Sequence, residues 1–133
     1  MSSPGRPKRV FPSAQREGIP LSAWLTLHEG DFHRRVQMMP GCMLLLFSQT
    51  GCAACRRAEA CLPGWLVGVV QQCVKVDAQK QAALAREFEV FHLPALHLYL
   101  EGRYHAPILC ELTAVAVRAA VEQAVVDPAV EAP

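Results

Sequence analysis

Seven consecutive residues, Cys42-Met43-Leu44-Leu45-Leu46-Phe47-Ser48, are apolar up to the last, with Pro40-Gly41 before them and Gln49-Thr50-Gly51 after. The run is too short for a long helix and does not alternate with polar residues. It therefore reads as a central strand buried on both faces. Such a strand needs a cover on each side, which restricts the chain to layered architectures. Directly after the turn comes Cys52-Ala53-Ala54-Cys55, opening a segment of helical character. Two thiols at that spacing, on the first turn of a helix at the exit of a strand, suit reversible disulfide chemistry.

The rest of the chain is organised around that strand. Residues 1–20 are rich in Pro, Ser, Gly, Lys and Arg and read as a mobile tail, in which Arg6, Lys8 and Arg9 form a solvated basic cluster. Residues 22–27 suit a first strand. Asp31 is placed to cap a helix running to about Met39, which Pro40-Gly41 stops. Cys52–Leu62 has a helical pattern, Pro63-Gly64 breaks or kinks it, and Trp65–Gln72 is ambiguous. Cys73–Asp77 suits a strand, and Gln79–Glu89 a helix with Leu84 and Phe88 on one face. Ala95–Leu100 and Arg103–Cys110 read as strands joined by Glu101-Gly102, with Pro107 confining the second to an edge or a bulge. Thr113 opens a last helix through about Val126, which Asp127-Pro128 ends.

Strands separated by helices imply parallel pairing through crossovers, and the tight turn implies a terminal antiparallel hairpin. The expected fold class is α/β, a mixed central β-sheet with helices on both faces. One domain over residues 21–127 is expected, with 128–133 as a C-terminal tail.

Composition bounds the function. The 133 residues carry 13 Lys and Arg against 12 Asp and Glu, and 52% are hydrophobic, which excludes a disordered chain or a basic nucleic-acid coat. No apolar run approaches the ~18–20 residues needed to span a bilayer. The N-terminus has positive charge but no apolar stretch behind it, unlike a secretory signal. A cytoplasmic monomer is expected, with neither nucleic acid nor membrane as partner.

Of six cysteines, Cys42, Cys61, Cys73 and Cys110 stand at irregular intervals among apolar neighbours. A free cysteine behaves as a small buried hydrophobe, and Cys42, Cys73 and Cys110 are expected in the core. Cys61 lies six residues past Cys55, on another helical face, so the two are not expected to bond without unwinding.

Four pieces occurring in order carry a family resemblance. They are Cys52-x-x-Cys55, Val74-Lys75-Val76-Asp77-Ala78, Phe88-Glu89-Val90-Phe91-His92-Leu93-Pro94, and Leu98-Tyr99-Leu100-Glu101-Gly102-Arg103. Over residues 22–126 the chain resembles the thioredoxin superfamily. The resemblance implies a thioredoxin-like fold and thiol-disulfide oxidoreductase activity without a cofactor. It also implies a cis bond before Pro94 and a substrate groove formed by Gly51, Leu93 and Pro94. A protein disulfide would be the substrate and a second redox protein the partner. The chain departs from the family pattern in a short stretch from Cys55 to Asp77, which implies a trimmed motif helix, and at three single positions. Gly51 stands where Trp is usual, Leu46 where thioredoxins carry a buried acid, and Cys110 where the last strand usually has Gly.

Thiolate is the reacting species, and unpaired amides at a helix N-terminus stabilise it. Cys52 sits at that end and is the expected nucleophile; Cys55, one turn in, is the expected resolving thiol. Ala53-Ala54 adds no charge and no hydrogen-bonding side chain, which favours reducing character. Arg56 and Arg57 are expected to point to solvent, and Leu46 leaves Cys55 with no evident base. His92 stands near the motif, and His97 is expected in the core. Two other functions fit some of these residues. A docking module with idle thiols is compatible with Gly51 and Leu46, but has no need of both the pair and Pro94. A structural zinc site wants four ligands, and only one Cys-x-x-Cys is present.

Overall fold

The computed structural model describes residues 24–133. The expected tail at 1–20 and the first two residues of the expected opening strand lie outside that range. The elements run β1 (Leu25–Thr26), α1 (Phe32–Val36), β2 (Cys42–Ser48), α2 (Ala53–Trp65), β3 (Gln72–Asp77), α3 (Ala82–Glu87), β4 (Ala95–Leu100), β5 (Arg103–Ile108) and α4 (Ala114–Val126). This is the order that the patterning implies.

The five strands form one sheet in the order β1-β3-β2-β4-β5. All seven residues of β2 are buried, as a strand with no alternation demands. Its side chains divide by parity. Cys42, Leu44 and Leu46 pack with Ala58 and Leu62 of α2 and Val117 and Val121 of α4. Met43, Leu45 and Phe47 pack with Phe32 and Val36 of α1, Leu84 of α3 and Phe88 just beyond it. The sheet therefore has helices on both faces. Cys42 and Cys73 are core thiols on the α2/α4 side, and burial raises their pKa values to about 11 and about 12. Cys110 is exposed, contrary to expectation, because β5 ends at Ile108 and the chain leaves the sheet before reaching it.

Pairing is parallel for β1 with β3 and β2 with β3, and antiparallel for β2 with β4 and β4 with β5. The link from β3 to β4 is therefore no parallel crossover, although a helix separates the two strands. The six residues of α3 rise about 9 Å, short of the roughly 20 Å length of a six-residue strand. The chain is not carried back along the sheet, and β4 starts at the end where β3 and β2 finish.

Several boundaries differ from the sequence reading for identifiable reasons. Pro63 lies inside α2 and does not break it. A proline there leaves the Glu59 carbonyl without its helical donor, and the Trp24 indole N–H supplies one at 2.8 Å. Helix α3 starts late because the Asp77 carboxylate accepts from the Gln79 and Lys80 amides and holds a turn there. The Glu29 carboxylate then accepts from the Ala83 and Leu84 amides at the helix start. Asp31 precedes α1 but makes no side-chain cap, and α1 is only five residues long. Strand β1 is two residues, not six. Thr113 does cap α4, accepting from the Ala116 amide at 3.1 Å.

Pro107 sits on the edge strand β5, opposite His97. Beyond α4, the expected C-terminal tail is tied down at one point, where the Val130 N–H donates to the His105 carbonyl at 2.8 Å and covers part of that edge. In the β4–β5 turn Glu101 and Gly102 have φ of 51° and 79°, and a Cβ on Gly102 would run into the Gln37 carbonyl oxygen.

His97 is 8% exposed, and its Nδ1 pairs with the Tyr104 hydroxyl at 2.8 Å. Burial lowers its pKa from 6.5 to about 4. Between those values the unfolded chain binds a proton that the folded chain does not. Stability is therefore fully present above about pH 6.5 and falls as pH drops toward 4. The expected loss is about 2–3 kcal/mol from this group. Urea unfolding from pH 7 to 4 checks it against His97→Gln, in which the slope should shrink. An unchanged slope in the variant would assign the acid loss to other groups.

Candidate active site

The motif is placed by the exit of the central strand. After Ser48 the chain turns through Gly51, whose φ of +86° suits glycine, and Cys52 takes an extended conformation as the N-cap of α2. The Cys52 sulfur accepts from the Cys55 amide at 3.2 Å, so the thiol itself satisfies one of the free N–H groups at the helix start. Cys52 is half-buried, and Cys55 is 0% exposed against the sheet.

The two thiols are driven apart in acidity. Hydrogen bonding from the Cys55 thiol is the main cause holding Cys52 below the usual thiol range; the Cys55 and Ala54 amides and the Arg56 charge add to it, against some desolvation. Burial raises Cys55 to about 11, helped by its bond to Cys52, by the Cys52 charge and by the Glu59 carboxylate. The pair thus presents an accessible sulfur that ionises easily and a covered one that does not. Arg56 is exposed, as expected. Arg57 is exposed but engaged, donating to the Leu112 carbonyl at 3.3 Å and lying over the Trp65 ring.

The antiparallel β2–β4 register pairs Phe47 with Ala95, so Pro94 arrives level with Ser48, at the strand end from which the motif leaves. The Leu93–Pro94 peptide is cis. Leu93 and Pro94 are half-buried, while Gly51 and His92 are exposed. Phe91 is 84% and Leu109 86% exposed, and the β4–β5 register places Leu109 at the same end of the sheet. Cys61 is half-buried on α2 and forms no disulfide.

One group escaped the sequence reading. Leu46 is fully buried, yet an acid does stand near Cys55. Glu59 lies one turn further along α2 and accepts from the Ser48 hydroxyl at 2.9 Å and the Lys75 ammonium at 3.0 Å. The signal was available as the Cys55/Glu59 i, i+4 spacing. Its link to Ser48 and Lys75 depends on the β2–β3 pairing, which sets Leu46 opposite Lys75. A cavity of about 450 Å³ adjoins this cluster, with Ser48, Thr50, Gly51, Arg56, Glu59 and Lys75 in its lining. Among the described residues no three His, Cys, Asp or Glu side chains gather as a metal site, and no helix is long and apolar enough to cross a membrane.

The family model described as Thioredoxin matches residues 23–123. The chain belongs to the thioredoxin family. Its fold is similar to that of a point-mutant thioredoxin from Halobacterium salinarum, with a TM-score of 0.67 and 18% identity over 79% of this chain and 93% of that one. It is also similar to mitochondrial thioredoxin 3 from Saccharomyces cerevisiae, with a TM-score of 0.65 and 18% identity over 79% and 99%. No curated protein sequence matches this thioredoxin-family chain. In this thioredoxin-family member, Gly51 leaves the motif turn without a side chain, and Cys110 adds an exposed thiol beyond β5.

Proposed function

We propose that the chain is a reductant of protein disulfides, acting by reversible formation of a Cys52–Cys55 disulfide. Membership of the thioredoxin family supports thiol-disulfide oxidoreductase chemistry in general. The observation that carries the finer reading is the split between the two thiols, with Cys52 accessible and lowered and Cys55 covered and raised.

In the first step the Cys52 thiolate attacks one sulfur of a partner disulfide. The partner S–S bond breaks, its other sulfur leaves as thiolate, and a mixed disulfide remains. In the second step Cys55 loses its proton and attacks the Cys52 sulfur, releasing the partner as a dithiol. Two electrons from a second redox protein then restore the pair. Gly51, Leu93 and Pro94 would form the groove for an extended partner segment, with the Leu93 backbone as its pairing strand. The exposed Phe91 and Leu109 side chains give that groove an apolar rim suited to protein. The apolar Ala53-Ala54 pair supports a reducing poise. A monomer acting in the cytoplasm is the setting we assign to it.

A redox titration tests the reading. The protein is equilibrated in graded dithiothreitol buffers and its thiols are trapped with a mass-tagging alkylator. A reversible two-electron transition confined to Cys52 and Cys55 is expected, near the reducing end of the range. No transition at the pair would mean that the fold serves docking and that its thiols are idle.

A further inference from the structure

Resolution of the mixed disulfide requires the Cys55 proton to leave, and Cys55 is covered by protein. A proton acceptor must therefore come from the packed face between α2 and the sheet. Lys75 projects onto that face beside Leu46, which offers it no counter-charge. The helix supplies the acid instead. Glu59 binds Lys75 through Oε1 and Ser48 through Oε2, with side chains 31% and 28% exposed for Glu59 and Lys75. Held from β2 and β3 at once, the carboxylate is fixed one turn beyond Cys55, where side chains at i and i+4 lie about 5–6 Å apart.

Three further features bear on its role. The carboxylate is paired with the Lys75 ammonium, and in its ionised form a carboxylate only accepts protons. Its influence on Cys55 is already felt in the resting protein, where it helps to disfavour the thiolate. The 450 Å³ cavity touches Glu59, Ser48 and Lys75 and is large enough for water, so a proton received there has a way out. The other charged or titratable groups around it are Arg56 of α2, Asp77 at the end of β3, Lys80 and His28. Asp77 is committed to the Gln79 and Lys80 amides.

We propose that Glu59 receives the proton that Cys55 gives up when it attacks the mixed disulfide, an inference that rests on the oxidoreductase reading above. The Cys55 S–H bond breaks and its proton passes to the Glu59 carboxylate, directly or through water in the cavity. The Cys55 sulfur bonds to the Cys52 sulfur. The Cys52–partner bond breaks, and its electron pair leaves on the partner sulfur. The motif is oxidised to a disulfide, the partner sulfur is reduced, and Glu59 returns the proton to solvent through the cavity.

Single-turnover reaction with 5,5′-dithiobis(2-nitrobenzoate) separates the steps, since Cys52 releases the first coloured thiolate and Cys55 the second. Full-length protein carrying Cys61→Ser and Cys110→Ser serves as the background, with Glu59→Gln and Glu59→Asp compared from pH 6 to 9. Glu59→Gln should leave the first phase within about twofold and slow the second roughly tenfold or more at pH 7. The deficit should narrow toward pH 9, where hydroxide takes over, and Glu59→Asp should recover part of the rate. Equal second phases, or a deficit identical at every pH, would overturn the role of Glu59 and leave the oxidoreductase reading intact. Absence of the first phase in the background protein would sink that reading and this one with it. Should Glu59→Gln fail to fold, Ser48→Ala frees the carboxylate from one bond and should slow only the second phase; an unchanged second phase counts against the proposal.

Discussion

Cys52→Ser is expected to reduce dithiothreitol-driven cleavage of a protein disulfide to the uncatalysed rate, a loss on the order of a thousandfold or more. A serine hydroxyl at the same N-cap can still accept from the Cys55 amide, so the helix keeps its start and the fold should persist. What disappears is the accessible sulfur that ionises. Cys55 cannot stand in for it, being fully buried and raised to about 11. Cys55→Ser should behave differently, allowing the first attack and then accumulating the mixed disulfide with Cys52. Turnover assays with mass spectrometry of trapped species read both outcomes. Retained turnover in Cys52→Ser would move the reaction to another thiol, with the exposed Cys110 the first to test.

Phe47→Ala is expected to destabilise the fold by about 3–5 kcal/mol. Phe47 is 0% exposed at the end of the central strand. Its ring lies 5.2 Å from that of Phe88 and 6.0 Å from that of His97, with tilted and edge-on geometries. Truncation would remove the ring's transfer free energy and leave a void between β2, α3 and β4 that a packed sheet cannot close. A domain of this size has only about 5–15 kcal/mol in total, so a large fraction of its stability is at stake. Denaturant titration of Phe47→Ala and Phe47→Leu measures it, with the leucine variant much milder. A loss under about 1 kcal/mol for the alanine variant would contradict the packing described for the α1/α3 side.

The elements themselves were largely legible. The Cys42–Ser48 run announced a strand covered on both faces, and its parity sorted the core into two layers. Gly51 before Cys52 marked the strand-to-helix turn. Failures came from a distant partner, from a competing local turn and from a strand end that patterning does not mark. Pro63 reads as a helix breaker until the Trp24 indole is seen to serve the carbonyl it orphans. Gln79 reads as a helix start until Asp77 is seen to hold its amide in a turn. Cys110 reads as a core thiol because its neighbours are apolar, but the strand carrying it ends two residues earlier.

The candidate site divides along the same line. The sequence alone determined the pair, its place at a helix start, and hence which thiol is accessible, since all of that is set within a few bonds of Cys52. Two matters were decided only by tertiary structure. The short α3 returns β4 antiparallel, which sets Pro94 level with Ser48 at the mouth of the motif. The β2–β3 register sets Lys75 under α2, where Glu59 meets it. Both depend on which strands pair and in which direction. Local patterning leaves that direction open, because the Gln79–Glu89 pattern suits a helix long enough for a parallel crossover, whereas the helix that forms spans only Ala82–Glu87.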